Sequence, residues 1–204
     1  MSNTPETTAR TTEATESKTA STARRVAAVS WKPVLFAVLM WVSAAAGQIP
    51  VPGTPVPITL QTFVVMLAGL MLTWRQAGAA VAAYLAAGAA GLPVFAGGAS
   101  TMALVGPSAG FLLGFLPGVV VIALLKGSKD SKGKSASILT ALRYFAAAFV
   151  GGVVVVYTFG ILIQSTLTGL PVAAVTAASM AFIIGDIVKA FVASLAAAGL
   201  ARLR

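Results

Sequence analysis

The sequence predicts an all-α integral membrane protein: six transmembrane helices in three hairpins, with the N- and C-termini both cytoplasmic. Three observations carry that expectation. Of 204 residues, 58% are hydrophobic and only 9% charged, whereas a soluble domain carries charge on roughly a quarter of its residues. Residues 33–74, 76–125 and 144–185 hold no charged side chain. A membrane helix needs about 20 apolar residues, so each run has room for two spans and a turn. Each run is also broken near its middle by residues that do not continue a helix.

Residues 1–30 are rich in Thr, Ser, Ala and Glu without apolar periodicity, and read as a disordered cytoplasmic tail ahead of a membrane domain at 31–204. Arg24, Arg25 and Lys32, the apolar stretch 33–42 and Ala44-Ala45-Ala46 resemble a signal peptide. The basic region is long for one, however, and more membrane follows, so the stretch reads as the first span. The first run is broken by Gly47 to Pro57, where Pro50, Pro52, Pro55 and Pro57 exclude helix interior. The second is broken from Gly91-Leu92-Pro93 to Gly106-Pro107, and the third at Thr166 to Pro171. The expected spans are 33–48, 59–74, 76–92, 108–126, 138–165 and 172–201.

Orientation follows from the cations. With the N-terminus inside, every Lys and Arg except Lys189 falls in an inner segment, and the outer connections carry none. This is the positive-inside pattern of a multi-pass plasma-membrane protein. The net charge of +9 is thus accounted for by topology, without nucleic acid as a partner. Within the basic loop 126–134, which is read as a solvated topological signal rather than a lipid site, Gly127 to Ser135 imitates a phosphate-binding loop. Five residues separate its glycines instead of four, and no strand precedes it, so no ATP site is expected in this chain. The chain has no Cys and no His. That excludes zinc and haem sites built on those ligands, Ser-His and Cys-His triads and the His-Glu-x-x-His motif, and an intramembrane enzyme fails for want of His, Cys and more than one buried acid. No catalytic residue, metal or cofactor is expected.

Two charges remain after the cytoplasmic cations are set aside: Asp186 and Lys189. They lie roughly 20 Å up the last span from its cytoplasmic end, where each costs about 2.5–3.5 kcal/mol to insert. Their i, i+3 spacing puts them on one helix face. They form either a self-neutralising pair or a polar ligand site, and an ionisable group at that depth is by default functional. Thr54 to Thr62 is a rigid, proline-set segment entering a helix, with Thr59 and Gln61 near the outer boundary; Thr59 also suits a helix N-cap. Gly91 to Gly98, containing Phe95, Gly97 and Gly98, and Gly106 to Phe111 form a clustered irregular segment. At membrane depth such backbone is tolerated only against protein or a cavity, and it reads as a ligand lid. The scattered Gly69, Gly78 and Gly88 read as close helix packing.

The ordered motifs Thr54-Pro-Val-Pro-Ile-Thr-Leu-Gln-Thr62, Gly91-Leu-Pro-Val-Phe-Ala-Gly-Gly98, Gly106-Pro-Ser-Ala-Gly-Phe111 and Gly185-Asp-Ile-Val-Lys-Ala190 resemble the BioY family over about residues 33–200. BioY proteins are the biotin-binding S components of energy-coupling factor transporters. The resemblance implies biotin uptake from outside, a transmembrane coupling protein and two ATPase subunits as partners, and ATP used only by those partners. It implies that Asp186 and Lys189 contact biotin, that the loop with Gly97 and Gly98 closes on it, and that the Thr54-Pro55-Val56-Pro57 segment seals the site. Phe95 and Phe111 are placed to pack on the ligand's rings; core packing is the alternative for each. Two departures stand out. Gly97 occupies a position where some relatives carry Asn, and Ala37 is followed at helical spacing by the large Trp41. The rival reading is a proton-coupled carrier for a small carboxylate or vitamin that uses Asp186, against which Lys189 argues, since a fixed cation on the same face favours the charged carboxylate.

Overall fold

The first helix, α1 (Trp31–Ala45), buries Phe36, Met40 and Ala44, four residues apart, and exposes Val34, Val38, Trp41 and Val42. One stripe of the helix therefore faces the bundle. Residues 31–127 and 134–202 are described here, from a computed structural model. The expected tail at 1–30 and most of the imitation phosphate loop, 128–133, lie outside the described residues.

Gly47, at φ +125°, ends the helical path of α1. The proline-rich segment then folds back on itself: Ile49 and Ile58 exchange both backbone hydrogen bonds at 2.9 Å in an antiparallel bridge. The segment delivers the chain to α2 (Gln61–Met71). At 1.5 Å per residue α2 is only about 16 Å long, roughly half a bilayer core, where a full span over 59–74 is expected from the sequence. The cause is Thr73. It forms a capping box with Gln76 that starts α3 (Trp74–Ala89) at once. Lys126 closes the C-terminal end of α2 by donating to the carbonyls of Leu70, at 3.0 Å, and Leu72. A cation at a helix C-terminus is the favourable sense of the macrodipole.

Two short 3₁₀ turns, Ala96–Gly98 and Thr101–Leu104, cross the end of the bundle and lead to α4 (Ala109–Leu125). Next come α5 (Lys134–Phe149), a π-helical segment (Val150–Val155) and α6 (Val156–Thr168). From Ile138 to Thr168 these run on as one helical rod of 31 residues. Gly169, in the left-handed conformation at φ +70°, ends it, and α7 (Val172–Arg202) returns.

The architecture is all-helical, as expected, and the isolated bridge is the only strand-like pairing among the described residues. Two of the helices, Ile138–Thr168 and Val172–Ala201, are by themselves long and apolar enough to cross a membrane. The surface is inverted relative to a soluble protein. Ile184 is 75% exposed and Leu139 and Ile138 are exposed as well, whereas Gln61, Gln164, Ser179 and Asp186 are buried. Apolar surface of that extent needs an apolar partner phase.

Helix α4 packs against α2, α3, α5 and α6, and glycines set how closely. A Cβ on Gly118 would stand 2.6 Å from the Gly151 carbonyl oxygen, and one on Gly110 would stand 2.5 Å from that of Phe159. Backbone thus meets backbone along α4 and the π–α6 rod, as small residues allow in membrane helices. The scattered glycines are not alike. A Cβ on Gly69 would meet Ile122 at 2.6 Å, but on Gly78 it meets nothing closer than 3.5 Å, and on Gly88 it would enter the ring of Phe95 at 2.1 Å. Gly69 and Gly88 are therefore required by their neighbours, and Gly78 is not.

Candidate functional site

Four elements and two connecting segments enclose a cavity of about 200 Å³. The segment after α1 and the entry to α2 supply Gln48, Val56, Ile58 and Thr59; α2 itself supplies Gln61 and Thr62. The 3₁₀ region supplies Phe95, Ala96 and Ala99, the start of α4 supplies Ser108, Phe111, Leu112 and Phe115, α6 supplies Tyr157, and α7 supplies Phe182, Asp186 and Lys189.

At the polar wall, Asp186 is 4% exposed and fully partnered. Its Oδ1 accepts from Thr62 Oγ1 at 2.8 Å and from Lys189 Nζ at 2.9 Å, and its Oδ2 accepts from the Tyr157 hydroxyl at 2.8 Å. Lys189 also donates to the Thr59 carbonyl at 2.7 Å and to Thr62 Oγ1 at 3.1 Å. An isolated charge here would be prohibitively expensive. The pair survives burial because every ammonium hydrogen and both carboxylate oxygens find partners. The same bonds tie α7 to the proline-set segment 130 residues earlier in the chain.

A second hydrogen-bonded chain holds the 3₁₀ region. Thr59 Oγ1 donates to Gln61 Oε1 at 3.0 Å, Gln61 Nε2 donates to the Tyr84 hydroxyl, and that hydroxyl donates to the Val94 carbonyl at 2.9 Å. Tyr84 also meets Phe95 edge-on, with ring centres 5.3 Å apart. At the apolar wall Phe111 packs edge-on against Tyr157 at 6.0 Å and Phe182 at 6.3 Å. Two glycines seat these rings. Gly88 leaves the space that Phe95 fills, and a Cβ on Gly160 would stand 2.4 Å from Phe111 Cε1.

The structure thus brings together six of the eight residues singled out from the sequence: Asp186, Lys189, Phe95, Phe111, Thr59 and Gln61. It does not bring Gly97 and Gly98 to the wall. Their neighbours Ala96 and Ala99 line it instead, and the two glycines serve the backbone, with φ of +70° and +73°. Those angles turn the chain between the two lining alanines, and side-chain-bearing residues rarely adopt them. Sequence reasoning missed Thr62, Tyr157, Gln48 and Ser108 as lining residues. Thr62 closes the same proline-set segment as Thr59, three residues on, and that proximity was the available signal. Tyr157 has none, being one aromatic residue within a long apolar run.

The site combines a charge-compensated acceptor and donor pair with flat aromatic and aliphatic walls. That suits a small, largely apolar molecule with a few polar atoms. Comparison with known proteins points the same way. The BioY family model matches residues 14–204. The chain is 40% identical to the biotin transporter BioY of Rhizobium etli over 166 residues, which is 79% of this chain and 88% of that one. It is 35% identical to the biotin transporter BioY of Thermotoga maritima, covering 84% and 95% of the two chains. With that of Rhodobacter capsulatus the identity is 38%, over 83% and 91%. Among solved structures, the S-component for biotin from an ECF-type ABC transporter superposes with a TM-score of 0.72 at 24% identity, covering 89% of this chain and 93% of that one. At that identity the match speaks for the fold.

Proposed function

The chain belongs to the BioY family, and from that premise we propose that it is the biotin-binding S component of an energy-coupling factor transporter, a transport subunit and not an enzyme. The observation that supports this reading best is the fully partnered Asp186–Lys189 pair facing a cavity walled by Phe95, Phe111 and Phe182. Biotin carries a ureido ring with two N–H donors and a carbonyl, a thioether ring, an apolar chain and a carboxylate. Asp186 is the acceptor for ureido N–H groups, and Lys189 is the donor to an oxygen of the ligand. The aromatic walls take the fused rings. Thr59 and Gln61 hold the entry segment and the 3₁₀ region in place around the ligand, and Gly97 and Gly98 let that region close.

In this reading six helical passes cross the plasma membrane with both termini and the 1–30 tail in the cytoplasm, and biotin enters from the outer face. The chain carries no phosphate loop of the required spacing, so ATP is consumed by two partner ATPases joined through a transmembrane coupling protein. The S component then reorients in the bilayer to deliver its ligand. A proton-coupled carrier using Asp186 is the weaker alternative, since Lys189 lies 2.9 Å from Asp186 Oδ1 and a proton there would displace an ion pair. Titration calorimetry of the purified chain in detergent tests the proposal. Saturable binding of biotin at one site per chain is expected, and absence of any biotin binding by well-folded protein would refute it.

A further inference from the structure

The polar groups of the cavity divide into those that already hold partners and those that do not. Lys189 directs its ammonium hydrogens to Asp186, Thr62 and the Thr59 carbonyl. Asp186 accepts on both oxygens. Gln61 is engaged at both ends of its amide. A ligand bonding to these groups must loosen what they hold, and it gains only the difference between old and new bonds. Among the described residues, two polar lining side chains hold no hydrogen bond: Gln48 and Ser108.

A second observation bears on Gln48. It is exposed yet lines the cavity, so it stands where the cavity opens to the surface. Its carboxamide lies directly against Gly97. A Cβ built there would approach Gln48 Nε2 to 3.1 Å and Oε1 to 3.3 Å, closer than neighbouring groups normally settle. A side chain at position 97 would make the amide give way by a few tenths of an ångström, and glycine leaves it its place. Such an amide offers two donors and one acceptor, at a point where the committed groups offer nothing new.

We infer that Gln48 is a ligand-contacting, specificity-determining residue: its amide hydrogen-bonds an oxygen of the bound molecule facing the open end of the cavity, and Gly97 is the residue that leaves it room. The inference rests on the reading that this cavity holds biotin. A carboxylate or a ureido carbonyl satisfies the amide N–H equally, and either places a polar end of the ligand at Gln48 while its rings lie between the aromatic walls.

The test is biotin titration of the purified full chain in detergent, with the ligand-free melting temperature measured on each variant. Gln48→Ala is expected to weaken binding about tenfold or more while leaving ligand-free melting unchanged, because Gln48 holds no hydrogen bond in the folded protein. Gly97→Asn alone should also weaken binding, by crowding the amide. Asn tolerates the positive φ at that position better than most residues. In Gln48→Ala/Gly97→Asn it presents a new amide beside the place the Gln48 amide has left, and most of the lost affinity should return. Wild-type affinity in Gln48→Ala would overturn the inference alone, as would a loss of affinity matched by a fall in ligand-free melting temperature. A double variant binding no better than Gln48→Ala would overturn the pairing of the two positions. A folded wild-type chain that binds no biotin would overturn the reading beneath both.

Discussion

Asp186 contributes to the site as an acceptor and to the fold as a knot, because one carboxylate receives bonds from α2, α6 and α7. Asp186→Asn keeps the shape and one acceptor but loses charge-assisted bonds of about 1.5–3 kcal/mol, and a loss of 1.4 kcal/mol is tenfold in affinity. Biotin affinity is expected to fall roughly ten- to a hundredfold by titration. The change also strands the Lys189 cation, so Asp186→Asn/Lys189→Met serves as control; a well-folded double variant with wild-type affinity would remove the pair from the ligand site. A second expectation concerns the ring seats. Gly88→Ala drives a methyl into Phe95, an overpacking of about 1–3 kcal/mol that displaces a ring lining the cavity. Weaker biotin binding is expected, and adding Phe95→Leu should recover melting temperature without restoring affinity. Undiminished affinity in Gly88→Ala would contradict the seat. The sequence made Asp186 and Lys189 legible because charge is costly in an apolar helix. Tyr157 was not legible. A hydroxyl in an apolar run costs little, and only folding carries Tyr157 across the 29 residues that separate it from Asp186.

Helix α4 is positioned by what its glycines lack. Gly110 and Gly118 face backbone carbonyls that cannot yield, so Gly118→Val should lower the melting temperature sharply or abolish folded protein in detergent. Gly78→Ala meets nothing closer than 3.5 Å, and glycine costs a helix interior about 0.5–1 kcal/mol relative to alanine; a small rise in melting temperature is expected. Equal effects of the two substitutions would refute the packing assignment. At this scale helix positions were readable from apolar runs and breaks, but their lengths less so. The capping box at Thr73 shortens α2 by a local side-chain exchange, which hydropathy does not register. The π segment Val150–Val155 lies in an apolar run without charge or proline. Its glycines, Gly151 and Gly152, are explained by Ile122 and Met66, which would collide with a Cβ at each, and those neighbours become visible only after folding.

For the whole molecule, the distribution of charge and the inverted surface argue together for a lipid environment. Every Lys and Arg outside the Asp186 pair belongs to segments assigned to one side. Cysteines introduced at Ser100 and Ser131 are therefore expected to react with an impermeant thiol reagent from opposite sides of intact cells; labelling of both from outside would contradict the proposed topology. The central claim is that this chain binds biotin but depends on other subunits for the energy of uptake. The most direct measurement places the chain alone in sealed lipid vesicles and follows radiolabelled biotin, with ATP and with an imposed proton gradient. Saturable binding that stays near one biotin per chain under both conditions is the predicted result. No saturable binding, or accumulation beyond that ratio driven by the proton gradient, would contradict the account.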